Sequence, residues 1–444
     1  MPVMPSLLDR VYLYKNRGKS VVTIVRAQLT ERVRPQELKE AAEISLRDYA
    51  SFNIKPLMSD NGRVSFAENN AEPPVFEKSS GRHLLGTEEV RGYLFCIYYE
   101  DELIELSASH ILGDARIDKE FLSLVLLNYF RLLGIEVPEE EIRLLCDRRE
   151  EELTGLYEAA ASYKDRMEGA EEAQDKNEKD PADGAKLLTY MEESDREYDK
   201  SRYYVKRSIG FPYSELLELS KRYDASPFVL MADLLARAMG QAYDTKGLDL
   251  KISASIDMRG IYETASVHNF SAEMELFYPN ARQGMEAEER YALLKKELAE
   301  AKRTDRLTQG ILGNGELTGM LESYFNLKDY GTIEKLIDKG LMEGLPSLYL
   351  ASIGRLKLPA CISTYVRDMD INGIPVSPET CFYTTAFGDS YRLIMAGSHT
   401  RDALQKAILD ILKEMGISAQ AEEMSIEDTD YLDIGGFTSC PQPF

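Results

Sequence analysis

The stretch from Leu94 to Gly134 restricts the fold more than any other part of the chain. Leu94 to Tyr99 and Leu103 to Ser109 are β-favouring runs separated by Glu100-Asp101-Glu102, which predicts a hairpin. After a tight turn, Ile117, Phe121, Val125, Tyr129 and Leu132 recur at helical spacing, and Gly134 is placed to end that helix. A hairpin that runs directly into an amphipathic helix makes an α/β unit, with the helix lying on the sheet. The second strand delivers His110 to the corner, and Asp114 follows four residues later. Imidazole is the side chain best suited to move a proton near neutral pH. A carboxylate beside it can fix the ring tautomer, or it can pair elsewhere and keep the corner rigid. The plain alternative is a histidine satisfied by a backbone carbonyl.

The rest of the chain repeats the α/β theme. Val21 to Val25 reads as a β-branched strand, and a helix with Pro35 in its first turn buries Leu38, Ala41, Ala42, Leu46 and Tyr49. Asp60-Asn61-Gly62 reads as a turn between short strands, and Asn69 to Arg82 as loop. From Asp147 to Lys200 acids and lysines crowd the chain, as in a solvated helix or a flexible crossing. Beyond it, Pro212 to Lys221 predicts a helix. Ser226-Pro227 opens another, with Leu230, Met231, Leu234, Leu235 and Ala238 facing inward. Leu250, Ile252, Ala254, Ile256 and Met258 alternate strictly and predict a strand with one buried face. Glu286 to Lys302 reads as a charged amphipathic helix. Ser347–Leu356, Cys361–Val366, Cys381–Ala386 and Tyr391–Ala396 read as strands, and a helix opened by Thr400 and ended by Gly416 closes the pattern. The expected organisation is an N-terminal half over residues 1–146 carrying His110, a charged connection over 147–200, and a C-terminal half over 201–444.

Charge and cysteine usage narrow the partners. The 444 residues hold 53 Lys and Arg against 76 Asp and Glu, a net charge of −23. Such a field repels phosphate backbones, so nucleic acid is not expected as a partner. The five cysteines (Cys96, Cys146, Cys361, Cys381, Cys440) are scattered, without metal-ligand spacing, as in reduced thiols of a cytoplasmic protein. No run approaches the roughly 20 apolar residues of a membrane span, and no signal-peptide core is visible. No metal is expected, because no two histidines share ligand spacing. The glycine-rich run Gly310-Ile311-Leu312-Gly313-Asn314-Gly315 lacks the Lys-Ser/Thr of a phosphate loop and reads as a mobile loop. His83 and His399 sit in loop-like sequence and read as solvated or structural. His268 precedes Asn269-Phe270, but nothing in the sequence positions it as a base.

Four stretches together resemble one superfamily. His110-Ile111-Leu112-Gly113-Asp114-Ala115, followed by Phe121-Leu122, is similar to the His-x-x-x-Asp-Gly segment of the CoA-dependent acyltransferases. That superfamily includes chloramphenicol acetyltransferase, alcohol acetyltransferases, plant hydroxyl acyltransferases and peptide-synthetase condensation domains. Val11 to Leu57 resembles its opening strand, helix and Tyr-x-x-Phe turn. Ser253 to Arg259 with His268-Asn269-Phe270, and Leu348 to Pro359 with Ser352-Ile353-Gly354-Arg355-Leu356, match two later segments in order and spacing. The resemblance runs over most of the chain. It implies an α/β (α+β) protein of two similar sandwich halves meeting at a central cleft.

It also implies a division of labour. His110 would be the general base, taking a proton from an acceptor hydroxyl or amine as that atom attacks an acyl thioester. Asp114 would be structural, turned from substrate and paired with Arg259. Asn269 and Ser352 would be oxyanion or substrate contacts. No cofactor is held permanently, and acyl-CoA is the cosubstrate. Two departures stand out. Ser109 replaces the first of the two histidines many members carry, and Ala115 replaces the usual Gly, costing on the order of 1 kcal/mol if a positive φ is required there. Three functions fit: an acyltransferase of the alcohol O-acetyltransferase kind using small-molecule donor and acceptor; a free-standing condensation-type enzyme whose donor rides on a carrier protein; and a binding module that keeps the fold without catalysis.

Overall fold

Alternating segments build two sheets, and the amphipathic segments between them become the helices that cover those sheets. The computed structural model describes residues 4–12, 21–59, 64–146, 154–168, 203–243, 245, 247–324, 346–374, 381–397 and 402–428. Helix α1 (Leu7–Val11) precedes strand β1 (Val22–Leu29), helix α2 (Pro35–Asp48) and the antiparallel ribbon β2 (Ile54–Met58) and β3 (Val64–Glu68). Next come β4 (Val75–Glu77), β5 (Phe95–Glu100), β6 (Leu103–Ser109) and α3 (Ala115–Leu132). Helices α4 (Glu139–Cys146) and α5 (Leu156–Glu168) lead into the second part of the chain. There β7 (Tyr203–Pro212), α6 (Tyr213–Arg222), α7 (Pro227–Ala242), β8 (Leu250–Asp257), α8 (Arg259–Tyr262) and β9 (Ser271–Tyr278) follow in turn. Helices α9 (Ala287–Ala301) and α10 (Thr304–Tyr324) precede β10 (Leu348–Arg355), α11 (Ala360–Ser363) and β11 (Val366–Ile374). The described chain ends with β12 (Cys381–Phe387), β13 (Ser390–Gly397), α12 (Asp402–Glu414) and β14 (Gln420–Asp428).

The first sheet runs β11-β1-β6-β5-β4 and the second β14-β7-β13-β12-β10-β8-β9. Strand β11 comes from the second part of the chain yet lies antiparallel to β1, from Val22 opposite Ile374 to Gln28 opposite Asp368. The two parts are therefore joined through a shared sheet as well as along the chain. On the helix side of the first sheet, Val25, Ala27 and Leu29 pack with Leu38 and Ala41 of α2 and Phe121 and Val125 of α3. Phe52 stacks on Phe121 with centroids 4.0 Å apart, so the Tyr49-x-x-Phe52 turn is anchored in this core. Each such fully buried large side chain contributes roughly 1.5–3 kcal/mol. Helix α7 covers the second sheet through Leu230, Leu234 and Leu235, packed with Ile252 and Leu350. A smaller apolar cluster of Val22, Ile24, Cys96, Ile374 and Ala396 joins the first sheet to β13 of the second.

Several local expectations change. The glycine-rich run is helical, inside α10, because Leu307 and Ile311 are buried in the second core. Its Gly315 also lets α5 approach: a Cβ there would come within 2.8 Å of the Tyr157 ring. Cys361 to Val366 is not a strand. Pro359 opens the single turn α11, Ile362 is buried, and the strand starts only at Val366. Asn69 to Arg82 is not all loop, since β4 pairs in parallel with β5, Val75 opposite Ile97, before a 3-10 turn at Lys78–Ser80. Within the charged connection, α5 buries Leu156 and Ala160 against the second core. The Asp60-Asn61-Gly62 turn, Thr400 and His399 lie outside the described residues.

Candidate functional site

The site begins with how the chain leaves β6. Ser109 donates its N–H to the Leu94 carbonyl at 2.8 Å, and His110 donates its own to Val21 at 2.8 Å. His110 is thus gripped just beyond the sheet, half-buried. The turn then brings the Gly113 carbonyl to 2.8 Å from His110 Nδ1. A carbonyl only accepts, so Nδ1 carries the proton and Nε2 keeps its lone pair. Gly113 has φ +153°, and a Cβ on it would meet Ile117 at 2.8 Å. Glycine is needed there to turn the carbonyl onto the ring. Tyr12, just past α1, stacks on the imidazole with centroids 4.4 Å apart and planes 4° apart. Burial lowers the His110 pKa from its ordinary value, against the opposing effects of Asp114, the Gly113 bond, Asn269 and Asp9. The ring is neutral at neutral pH.

Asp114 caps α3, accepting from Arg116 N at 3.2 Å and Ile117 N at 3.4 Å. Its other oxygen takes Arg259 Nη1 at 2.8 Å and the Phe270 N–H at 3.0 Å. Arg259, 2 % exposed, spends its remaining donors on Asp257 Oδ1 at 3.1 Å, Ser266 O at 2.7 Å and His268 O at 2.6 Å. Its guanidinium lies 5.5 Å from the Phe270 ring centre. Asp114 and Arg259 therefore tie the start of α3 to the end of β8 and to the loop before β9. Ala115 is the first residue of α3 and is not among the positive-φ residues, so it adds no strain there.

Asn269 has a different place from the one expected. Its Nδ2 donates to Asp9 Oδ1 at 2.7 Å and to the His110 carbonyl at 2.6 Å, and its backbone N–H goes to Asp9 Oδ1 at 2.8 Å. Both amide hydrogens are committed, so Asn269 offers none to an oxyanion. Ser352 is exposed on β10, where the pairing with β12 slips before Gly354, and its hydroxyl accepts from Thr384 Oγ1 at 3.2 Å. His268 is buried, with Nδ1 2.7 Å from Asp9 Oδ2. His83 stacks on Phe76 at 3.9 Å. Sequence reasoning missed Asp9 and Tyr12. The available signal was Ser6-Leu7-Leu8-Asp9, the spacing of a capping box, which the structure forms. Tyr349, hydrogen-bonded to Ser255, lies near Tyr12, whose hydroxyl burial pushes well above its ordinary pKa. Among the described residues, no three His, Cys, Asp or Glu side chains gather so as to hold a metal ion. No helix among them is long and apolar enough to cross a membrane.

The chain shares its two-lobed α/β fold with solved structures that include a trichothecene 15-O-acetyltransferase and an epimerization domain. It is similar to polyketide synthase associated protein 5 from Mycobacterium tuberculosis, at 13% identity and TM-score 0.61 over 93% of this chain and 98% of that one. It is also similar to F. graminearum TRI101, solved with coenzyme A and T-2 mycotoxin, at 10% identity and TM-score 0.60 over 95% and 99%. The epimerization domain from the third module of tyrocidine synthetase B matches at 11% identity and TM-score 0.56 over 94% and 95%. No protein-family profile and no curated protein sequence matches the chain.

Proposed function

We propose that the protein transfers an acyl group from an acyl-CoA thioester to a hydroxyl or amine acceptor, in the manner of an alcohol O-acetyltransferase, with His110 as general base. The observation that carries this reading is the bond from His110 Nδ1 to Gly113 O at 2.8 Å, which leaves a neutral imidazole with its lone pair on Nε2. In the reaction, Nε2 takes the acceptor proton as the acceptor oxygen bonds to the thioester carbonyl carbon. The tetrahedral oxyanion then collapses, the carbon–sulfur bond breaks, and the departing thiolate takes the proton back from Nε2. No acyl-enzyme is required, because a thioester is already activated. Asp114 and Arg259 hold the corner that carries His110, and Ser352 is the remaining candidate donor to substrate. The setting we infer is cytoplasmic.

A thiol-release assay over acyl-CoA donors and alcohol or amine acceptors tests the reading. With a substrate pair in hand, His110→Ala should lower turnover roughly 10²–10⁴-fold while donor binding changes little. Parent turnover should rise with pH through the lowered His110 pKa and then level off. Retained turnover in His110→Ala removes His110 from the mechanism, and a parent without turnover on any donor leaves the binding module. A carrier-protein donor is the second reading, favoured by likeness to an epimerization domain and to the starter condensation domain of rhizomide synthetase. The charge of −23 weighs against it, since carrier proteins are commonly acidic as well. Turnover with phosphopantetheine-loaded carrier protein and none with acyl-CoA would establish it.

A further inference from the structure

We infer that Asp9 is a positioning residue for His110, acting through Asn269, so that the N-terminal helix α1 is part of the reactive centre. The inference rests on the reading of His110 as the base and adds to it. Asp9 is 1 % exposed on a helix of five residues. Capping that helix accounts for only part of its bonding. Oδ2 takes the Ser6 N–H at 2.7 Å and His268 Nδ1 at 2.7 Å. Oδ1 is spent wholly on Asn269, on its backbone N–H at 2.8 Å and its Nδ2 at 2.7 Å. Four donors thus converge on one buried carboxylate, which is its full capacity. Burial alone would raise the Asp9 pKa, but the His268 and Asn269 hydrogen bonds outweigh it and hold the group below the usual range. Asp9 is therefore ionised, and a charge at that depth fixes its donors firmly.

What Asp9 fixes is the amide that holds His110. The same Asn269 Nδ2 donates to the His110 carbonyl at 2.6 Å. Since Val21 holds the His110 N–H, the peptide groups on both sides of the base are pinned. Tyr12, which packs flat against the imidazole, follows directly from the helix that carries Asp9. One short helix therefore sets both the main chain and one ring face of the base. Without the carboxylate the Asn269 amide is free to rotate, the His110 carbonyl loses its donor, and the ring is no longer confined to the Gly113 bond. A surface helix docked only for packing would need an apolar residue at this position.

The test is nitrogen NMR of the imidazoles, which needs no substrate. The chain has four histidines, and the His110 signals are assigned by their loss in His110→Gln. In the parent, His110 should be the Nδ1–H tautomer and titrate below the ordinary value. Asp9→Asn keeps the size and removes the charge. It should move the midpoint down by about half a unit, because a nearby negative charge is lost, and should populate the Nε2–H tautomer. The other groups around the ring remain in place: Tyr12 after α1, Asp114 before α3, His268 beside Asn269, and Tyr349 on β10 and Glu273 on β9 facing Tyr12. Asn269→Ala should likewise populate the Nε2–H tautomer, and the double variant should shift the tautomer ratio no further than Asn269→Ala alone. Once a substrate pair is known, kcat should fall roughly tenfold in each while the donor KM holds, as for a general base held less well. Folded Asp9→Asn and Asn269→Ala proteins with the parental tautomer would overturn the inference, as would additive effects on the tautomer ratio. If Asp9→Asn does not fold, Asn269→Ala decides on the same signals. A parent without acyl transfer defeats the reading of function and leaves these signals standing.

Discussion

Asp118 lies one helical turn beyond Asp114 and is fully buried, with neither carboxyl oxygen in a well-formed hydrogen bond. Burial, reinforced by the charge of Asp114, pushes its pKa well above the usual range, with the Thr23 hydroxyl opposing weakly. The folded protein therefore keeps a proton on Asp118 that the unfolded chain releases near pH 4. Below the unfolded value the group costs nothing. Between the unfolded and the folded value, each unit of rising pH removes about 1.4 kcal/mol of stability. Asp118→Asn takes this cost away, so its stability relative to the parent should climb as the pH rises from about 4 toward neutral. Melting both proteins across that interval measures the difference. Parallel curves would mean that Asp118 is ionised in the folded state.

At the scale of elements, Asp114 joins three pieces of backbone: the first turn of α3, Arg259 after β8, and Phe270 ahead of β9. Removing one partner from a buried ion pair costs about 3–5 kcal/mol, and losing an N-cap about 1 kcal/mol. Asp114→Ala should destabilise by at least the lower of the pair figures in denaturant unfolding, and Asp114→Asn, which keeps the cap, by less. An Asp114→Ala protein as stable as the parent would remove Asp114 from this role. The hairpin, the helix after it and the alternating strand that became β8 were legible because each is written in neighbouring residues. So was Ser226-Pro227, whose hydroxyl accepts the Val229 N–H at 3.3 Å. The pairing of β11 with β1 was not, since Arg26 and Asp370 are 344 residues apart. Helix α1 is too short to show a period, and Asn269 looks the same in sequence whether its amide is free or committed. The glycine-rich run reads as a loop until Tyr157 supplies the surface that its glycine must approach.

Across the whole molecule, the two sheets are tied by charge as well as by apolar contact. Arg392 on β13 reaches Asp370 at 3.0 Å and Asp368 at 2.7 Å on β11 of the other sheet, and Glu422 at 2.7 Å beside it. Asp370 also holds Arg26 at 2.9 Å, and Glu105 on β6 holds Lys78 and Arg82. Arg26, Lys78, Asp368, Asp370, Arg392 and Glu422 border a pocket of about 500 Å³ between the sheets. Burial would raise the pKa values of Asp370 and Glu105, but their cationic partners outweigh it and both are lowered. Their contribution is present above the unfolded value near pH 4 and is lost as pH falls through the lowered folded values. Asp368 has the opposite sign, because its burial outweighs Arg392. Arg392→Ala leaves Asp370 among carboxylates with Arg26 and Lys206 to offset them. The loss should be about 3–5 kcal/mol at neutral pH, as for a broken buried pair. It should shrink toward about pH 4, because the stranded carboxylates can then take up protons in the folded variant. Denaturant unfolding of parent and variant at both pH values measures this. An equal penalty at the two would mean that Arg392 joins the sheets by packing alone.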